Sequence, residues 1–239
     1  MDETALPVTE HLVELRSRLL RVLLAWFVGA ILAWSFAEQI FAVLLAPAVA
    51  ALAPEGTTLQ AIAPTEIFFT YLKSALLAGF VLALPVFFWQ VWAFISPGLY
   101  ANEKRFVVPF VVTSTGLFLL GAFFGYSVVF PIMFGFFTGF DSEFVHSAWT
   151  MREVFALTTR LFLAFGLAFE LPVFVFFLSL SGIVTAKQLF KGTPYAVLAV
   201  FVAAAILTPP DWISQILLAI PMIGLYLVGV GVAWLFGKK

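Results

Sequence analysis

The stretch from Ala75 to Ile95, ALLAGFVLALPVFFWQVWAFI, runs for 21 residues without a charged side chain. A transmembrane helix needs about 20 consecutive, mostly apolar residues to cross the hydrocarbon core. Apolar residues follow one another here without the alternation that is typical of a transmembrane barrel strand. The stretch therefore predicts a membrane-spanning helix.

The rest of the chain has a similar composition. Of 239 residues, 63% are hydrophobic, 30 are phenylalanine and only 10% are charged. Soluble domains are roughly 45–50% apolar, so this composition excludes a soluble enzyme. A net charge of −1 gives no basic face for nucleic acid, and the absence of cysteine excludes disulfides and thiolate metal sites.

Six apolar segments predict six transmembrane helices, at about 19–37, 73–95, 106–134, 154–180, 194–207 and 213–236. A cytoplasmic amphipathic helix is predicted before them, over residues 1–18. A seventh apolar run, Ile40–Ala53, is shorter and contains Pro47, so we expect an interfacial or re-entrant segment there. The predicted fold is an all-α polytopic membrane protein, with residues 1–239 forming a single transmembrane domain.

The positions of the basic residues favour six spans over seven. With six, nine of the 12 basic residues lie on the side that holds both termini, and the positive-inside rule makes that side cytoplasmic. Counting Ile40–Ala53 as a span would destroy this asymmetry. The nine residues are Arg16, Arg18, Arg21, Lys104, Arg105, Lys187, Lys191, Lys238 and Lys239.

Two of the predicted spans have unusual lengths. Tyr195–Leu207 would be only about 20 Å long as a helix, so it either thins the bilayer locally or pairs with the next span as a hairpin. Phe106–Phe134 would be about 43 Å long, so it must tilt, kink or project from the membrane, and Pro109 offers a kink site.

Glu170 is the acidic residue that lies well inside an apolar run, in Phe169-Glu170-Leu171-Pro172. A carboxyl group in the membrane is costly unless it is protonated or meets polar partners, and such residues often serve a function. Pro172 supplies one candidate partner, because it leaves the carbonyl of Ala168 without its helical donor. The alternative is a buried neutral acid that joins two helices.

A polar step follows the short fifth span, in Leu207-Thr208-Pro209-Pro210-Asp211 with Gln215 one turn later. The simplest interpretation is a tight turn in which Asp211 caps the next helix. Thr208 and Gln215 could also form hydrogen bonds with a partner helix in the membrane.

The N-terminal helix carries Glu14 four residues before Arg18, the favourable order for an ion pair on a helix surface. It is either a basic anchor that sets the topology or a site for a cationic ligand. The chain has no HExxH zinc motif, no P-loop and no GxSxG. We therefore expect neither a membrane protease nor an ATP-driven pump, and no enzyme activity.

Five motifs in order resemble those of TatC, the twin-arginine translocase subunit family. His11-Leu12-Val13-Glu14-Leu15-Arg16-Ser17-Arg18 resembles the HLxELRxR opening of these proteins, and the match extends from about Thr9 to Phe236. The other four are Ala63–Phe69, the loop from Gln90 to Arg105, Phe169–Pro172 and Leu207–Asp211.

This resemblance implies a multi-pass protein of the cytoplasmic (inner) membrane that exports folded proteins. It implies TatA- and TatB-type single-span partners, an oligomeric complex in the bilayer, the proton-motive force as energy source, and no cofactor or metal. It implies that Glu14, Arg16, Phe94 and Glu103 bind the twin-arginine signal peptide. It further implies that Glu170 is the polar centre of an intramembrane groove, and that Thr208 and Gln215 contact a partner helix.

Two alternatives use the same residues. A proton-coupled small-molecule transporter could use Glu170 and Arg160 as relay groups, although the sequence lacks a clear inverted repeat with paired broken helices. In a passive scaffold the charges would only orient the protein, and replacement of Glu170 by Gln would leave transport unchanged.

Overall fold

The computed structural model describes residues 8–52, 58–95, 107–140, 148–180, 182–208 and 211–236. These residues are almost entirely helical, and no strand occurs among them. The helices are α1 (Val8–Trp34), α2 (Ala37–Leu52), α3 (Pro64–Ile95), α4 (Val107–Phe124), α5 (Phe130–Thr138), α6 (Met151–Ala168), α7 (Leu171–Leu180), α8 (Ala186–Lys191), α9 (Thr193–Leu207) and α10 (Trp212–Phe236).

Five helical stretches are long and apolar enough to cross a membrane: Leu12–Trp34, Pro64–Phe94, Val107–Thr138, Met151–Leu180 and Trp212–Leu235. With α9 as a sixth, they match the six predicted spans, and the all-α polytopic fold class is confirmed. At 15 residues, α9 is about 22 Å long, so the fifth span is unusually short, as predicted. The seventh apolar run forms α2, and its interfacial placement stays a prediction.

The helices fall into two compact units, and the first comprises the described parts of Met1–Ile40 and Tyr71–Thr115. In this unit α1 and α3 pack through small residues. Ala33, Ala37 and Ala75 form a buried cluster, and a Cβ built on Gly79 would lie 2.6 Å from the Cα of Ala30. The two backbones are therefore in direct contact, as small residues allow in membranes.

The indole of Trp26 fixes the same helix pair with a polar contact. Its Nε1 donates a hydrogen bond of 2.7 Å to the carbonyl of Leu76, and its ring meets that of Phe80 edge-on. A hydrogen bond to a backbone carbonyl sets the register of α1 against α3 as well as their separation.

The second unit comprises the described parts of Phe41–Thr70 and Gly116–Lys239. Gln60 and Thr150 form an isolated bridge, which joins the segments that precede α3 and α6. Beside it, Glu66 accepts hydrogen bonds from the backbone N–H groups of Ile62 at 2.9 Å and Arg152 at 2.8 Å. One carboxylate thus closes the first turn of α3 and caps the start of α6.

The long third span is interrupted by a π-helical turn, Gly125–Val129, between α4 and α5. Pro109, the predicted kink site, lies in the first turn of α4, where a missing N–H costs no helical hydrogen bond. The irregularity lies instead where α4 packs on α6. A Cβ on Gly121 would lie 2.7 Å from Cγ of Phe169, and one on Gly125 would lie 2.8 Å from Cδ2 of Phe165.

The fourth span is also broken, since α6 ends at Ala168 and α7 begins at Leu171. Pro172 explains the break, because it has no N–H to donate to the carbonyl of Ala168 and its ring clashes with that carbonyl in a continuous helix. The backbone N–H of Glu170 instead donates to the carbonyl of Leu167 at 3.1 Å. Glu170 therefore lies at a helix break, where the backbone already departs from the α-helix.

Candidate functional site

Glu14 is held on α1 by the ion pair with Arg18 that the sequence predicts. Arg18 Nε donates to Glu14 Oε1 at 3.0 Å, and Arg18 Nη2 contacts the same oxygen. Arg18 Nη1 reaches across to Oε1 of Gln90 on α3, at 3.4 Å. Arg18 thus connects the carboxylate on one helix with the far end of another helix in the same unit.

Phe94 lies one turn beyond Gln90 and therefore on the same face of α3. It is partly buried, and next to it Trp92 is 2% exposed and packs on Phe110, with ring centroids 4.8 Å apart. The buried indole anchors the last turn of α3. The arrangement brings Glu14 and Phe94 to the same end of the α1–α3 pair, although their separation along the sequence is 80 residues.

Arg16 is exposed on α1, where its guanidinium can meet solvent or a ligand. Glu103 lies outside the described residues, so its proposed partnership with Glu14 stays a prediction. In the part of the chain that is described, the side-chain hydrogen bonds to the Glu14 carboxylate engage Oε1. The second oxygen leaves the carboxylate able to accept hydrogen bonds from a further cation.

Glu170 lies between α6 and α7 and is partly buried, with Oε1 shielded from solvent. Its neighbour Phe169 packs on Phe124, with ring centroids 5.7 Å apart. Glu170 thus places a partly buried carboxyl group at a helix break. Its membership of a groove stays a prediction.

Thr208 and Gln215 both form hydrogen bonds within the chain. The Thr208 hydroxyl is buried and donates to the carbonyl of Ala204 at 2.9 Å, and Gln215 Nε2 donates to the carbonyl of Phe201 at 3.0 Å. Asp211 Oδ1 accepts from the backbone N–H of Ser214 at 2.7 Å, which confirms the predicted cap of α10. Contact of Thr208 and Gln215 with a partner stays a prediction.

The close approach of α1 and α3 was missed from the sequence. The signal was present in two patterns of small residues four apart, Gly29 with Ala33 and Ala75 with Gly79, which often mark helix contacts in membranes. The role of Glu66 was also missed, because its hydrogen bond to Arg152 joins residues 86 positions apart.

The described residues contain no group of three or more His, Asp or Glu side chains that could hold a metal ion. The side chains at the end of the α1–α3 pair offer charge, hydrogen bonds and aromatic surface.

Comparison with known proteins gives a consistent result. The profile of the family described as TatC, Sec-independent protein translocase protein, matches residues 10–221. The Sec-independent protein translocase protein TatC of Desulforapulum autotrophicum is 45% identical over 238 residues, covering 100% of this chain and 88% of the relative. That of Escherichia coli K12 is 41% identical over 228 residues, covering 95% of this chain and 88% of the relative.

Solved structures agree with the sequence relatives. A crystal structure of the twin-arginine translocase receptor TatC superposes with a TM-score of 0.85 at 36% identity, covering 94% of this chain and 98% of that one. The same receptor in the detergent DDM gives a TM-score of 0.85 at 34% identity, covering 93% and 99%. The transporter alternative receives no support from these comparisons. The chain is thus a multi-pass membrane protein that belongs to the TatC family of Sec-independent protein translocase proteins.

Proposed function

We propose that this chain is the core subunit of a twin-arginine translocase in the cytoplasmic membrane, and that it binds the signal peptides of folded proteins for export. The observation that carries the proposal is the position of Glu14. Arg18 holds its carboxylate at the end of α1, next to Gln90 and the last turn of α3. The similarity of the whole chain to the twin-arginine translocase receptor supports the same role.

The chemistry of a twin-arginine signal fits two separated carboxylates. Each guanidinium can form paired, charge-assisted hydrogen bonds with one carboxylate, so Glu14 and Glu103 would each take one arginine. Phe94 would cover the apolar part of the peptide or stack on a guanidinium plane. Arg16 would repel peptides with basic residues at the wrong position and pair with acidic ones.

Export would need further subunits, because a six-helix chain provides no route for a folded cargo by itself. The family resemblance points to TatA- and TatB-type single-span proteins and to the proton-motive force. Thr208 and Gln215 stand at the outer end of the short α9, where a partner helix could exchange hydrogen bonds with Gln215 Oε1.

Purification from native membranes in mild detergent tests this assignment. We expect small single-span proteins to elute together with the chain, because an export complex of this kind needs them. Purification of an unrelated six-span protein under the same conditions controls for carry-over of abundant proteins. Elution of the chain without any single-span protein would contradict the proposal.

Replacing Glu170 by Gln tests whether the intramembrane carboxyl group takes part in export. Gln keeps the size of the side chain but replaces the titratable oxygen by an amide nitrogen, and a buried polar group that loses its hydrogen-bond partner costs about 1–3 kcal/mol. We expect the initial rate of signal-dependent export into membrane vesicles to fall about tenfold or more, with the amount of protein in the membrane unchanged.

The matched control is Glu38→Gln, which replaces an exposed acid in the first turn of α2 and should leave the export rate unchanged. A passive scaffold predicts that both variants export at the rate of the unaltered protein. Equal rates would therefore contradict a role for Glu170.

A further inference from the structure

A cavity of about 730 Å³ lies in the second unit, among α5, α6 and the end of α9. Its size falls in the range of pockets that hold small molecules. The walls are largely aromatic and apolar, and they include Phe134, Phe137, Trp149 and Leu157. Thr208 lines the cavity too, but its hydroxyl is committed to the carbonyl of Ala204.

Two opposite charges line this cavity on α6. Glu153 and Arg160 are seven positions apart, so they share one face of the helix and are separated by about 10.5 Å along its axis. Both side chains are exposed. Neither makes an ion pair with any residue that the structure describes. The cavity therefore offers a cation and an anion that the described part of the chain leaves to solvent or ligand.

The two charged side chains are expected to lie at different depths relative to the membrane. Glu153 belongs to the first turn of α6 and Arg160 lies further along the helix. From Arg160 to Leu180, the end of this span, the chain covers about 30 Å at 1.5 Å per residue, which equals the thickness of the hydrocarbon core. With Leu180 at one face of the hydrocarbon core, we expect Arg160 to lie near the other face and Glu153 beyond it.

We propose that this cavity binds the headgroup of a zwitterionic phospholipid, with its phosphate on Arg160, its ammonium group on Glu153 and its acyl chains on the membrane side of Arg160. In such a lipid the phosphate lies nearer the acyl chains than the ammonium group, which is the order of the two side chains. The guanidinium and the carboxylate would each form charge-assisted hydrogen bonds with their half of the headgroup.

A phospholipid fits this site better than a partner helix does. A partner helix would need both an anion and a cation at this one spacing to pair with Arg160 and Glu153. A zwitterionic headgroup supplies both. Phe134 and Phe137 also pack on Trp149, edge-to-face and tilted, and tryptophan is enriched at the headgroup level of membranes.

Native mass spectrometry of the full chain tests the proposal. The purified protein is washed free of lipid in detergent and titrated with phosphatidylethanolamine or phosphatidylglycerol. We expect phosphatidylethanolamine to bind more tightly. Arg160→Gln should weaken both lipids by about tenfold or more, because each loses a charge-assisted hydrogen bond to its phosphate. Glu153→Gln should remove the preference for phosphatidylethanolamine.

Arg152→Gln is the matched control, because Arg152 is an exposed arginine on the same helix and does not line the cavity. Its variant should bind both lipids like the unaltered protein. Equal binding by the Arg160→Gln and Arg152→Gln variants would overturn the proposal, as would tighter binding of phosphatidylglycerol by the unaltered chain. A photoreactive residue in place of Leu157 should crosslink to lipid in native membranes, and capture of a protein there in place of lipid would also overturn it.

Discussion

Replacing Glu14 by Gln is expected to weaken binding of a twin-arginine signal peptide by about 10- to 100-fold, since a hydrogen bond to a charged group contributes about 1.5–3 kcal/mol. The amide keeps the shape of the side chain and one acceptor oxygen, but it removes the negative charge that pairs with a guanidinium. Crosslinking of a labelled signal peptide to the chain in membranes measures the loss.

The ion pair with Arg18 gives this experiment a structural control. Arg18→Gln breaks the same ion pair but keeps the Glu14 carboxylate, and ion pairs four residues apart on one helix contribute about 0.3–0.5 kcal/mol. We expect this variant to lose no more than about fivefold in peptide binding. If the two variants lose the same amount, Glu14 acts through the local structure of α1 and does not bind the peptide directly.

A signal peptide with two lysines in place of the two arginines tests the same pairing by changing the peptide and not the protein. Lysine offers a compact point charge and cannot form the paired hydrogen bonds of a planar guanidinium. We expect the unaltered chain to discriminate strongly between the two peptides and the Glu14→Gln variant to discriminate much less. Unchanged discrimination in the variant would contradict direct pairing of Glu14 with an arginine.

The features that sequence could predict are those that depend on local composition. Apolar runs near 20 residues predict membrane helices because the bilayer fixes their length. The Glu14–Arg18 ion pair and the Asp211 cap follow from spacings of four and three residues within one turn of helix. Pro172 marks the break at Glu170 for an equally local reason, since proline cannot donate the helical hydrogen bond to the carbonyl four residues earlier.

The features that sequence could not predict depend on residues distant in the chain. The π-helical turn at Gly125–Val129 lies where α4 packs on Phe165 of α6, and nothing in the five residues themselves demands it. The hydrogen bond from Arg18 to Gln90 joins residues 72 positions apart. The cavity beside Arg160 also combines several helices, and a single arginine in an apolar run does not reveal which neighbours surround it.

Replacing Gly79 by Ala is expected to separate α1 from α3 and to lower the thermal stability of the protein. The added Cβ would lie 2.6 Å from the Cα of Ala30 and 2.9 Å from its Cβ. Backbone atoms cannot relieve this clash by rotation about a side-chain bond. Overpacking of this kind costs about 1–3 kcal/mol or more. We expect the apparent melting temperature in detergent to fall by about 10 °C, with the Trp26 hydrogen bond to Leu76 disrupted.

Gly116→Ala is the matched control, because a Cβ on this helical glycine of α4 meets no atom within 4 Å. Alanine is about 1 kcal/mol better than glycine in a helix, so this variant should melt at the same temperature or slightly higher. The same helix propensity favours alanine at Gly79, which means that any loss of stability there reports the contact with Ala30 alone. Equal melting temperatures for the two variants would show that α1 and α3 can move apart without cost, and that their close contact does not stabilise the fold.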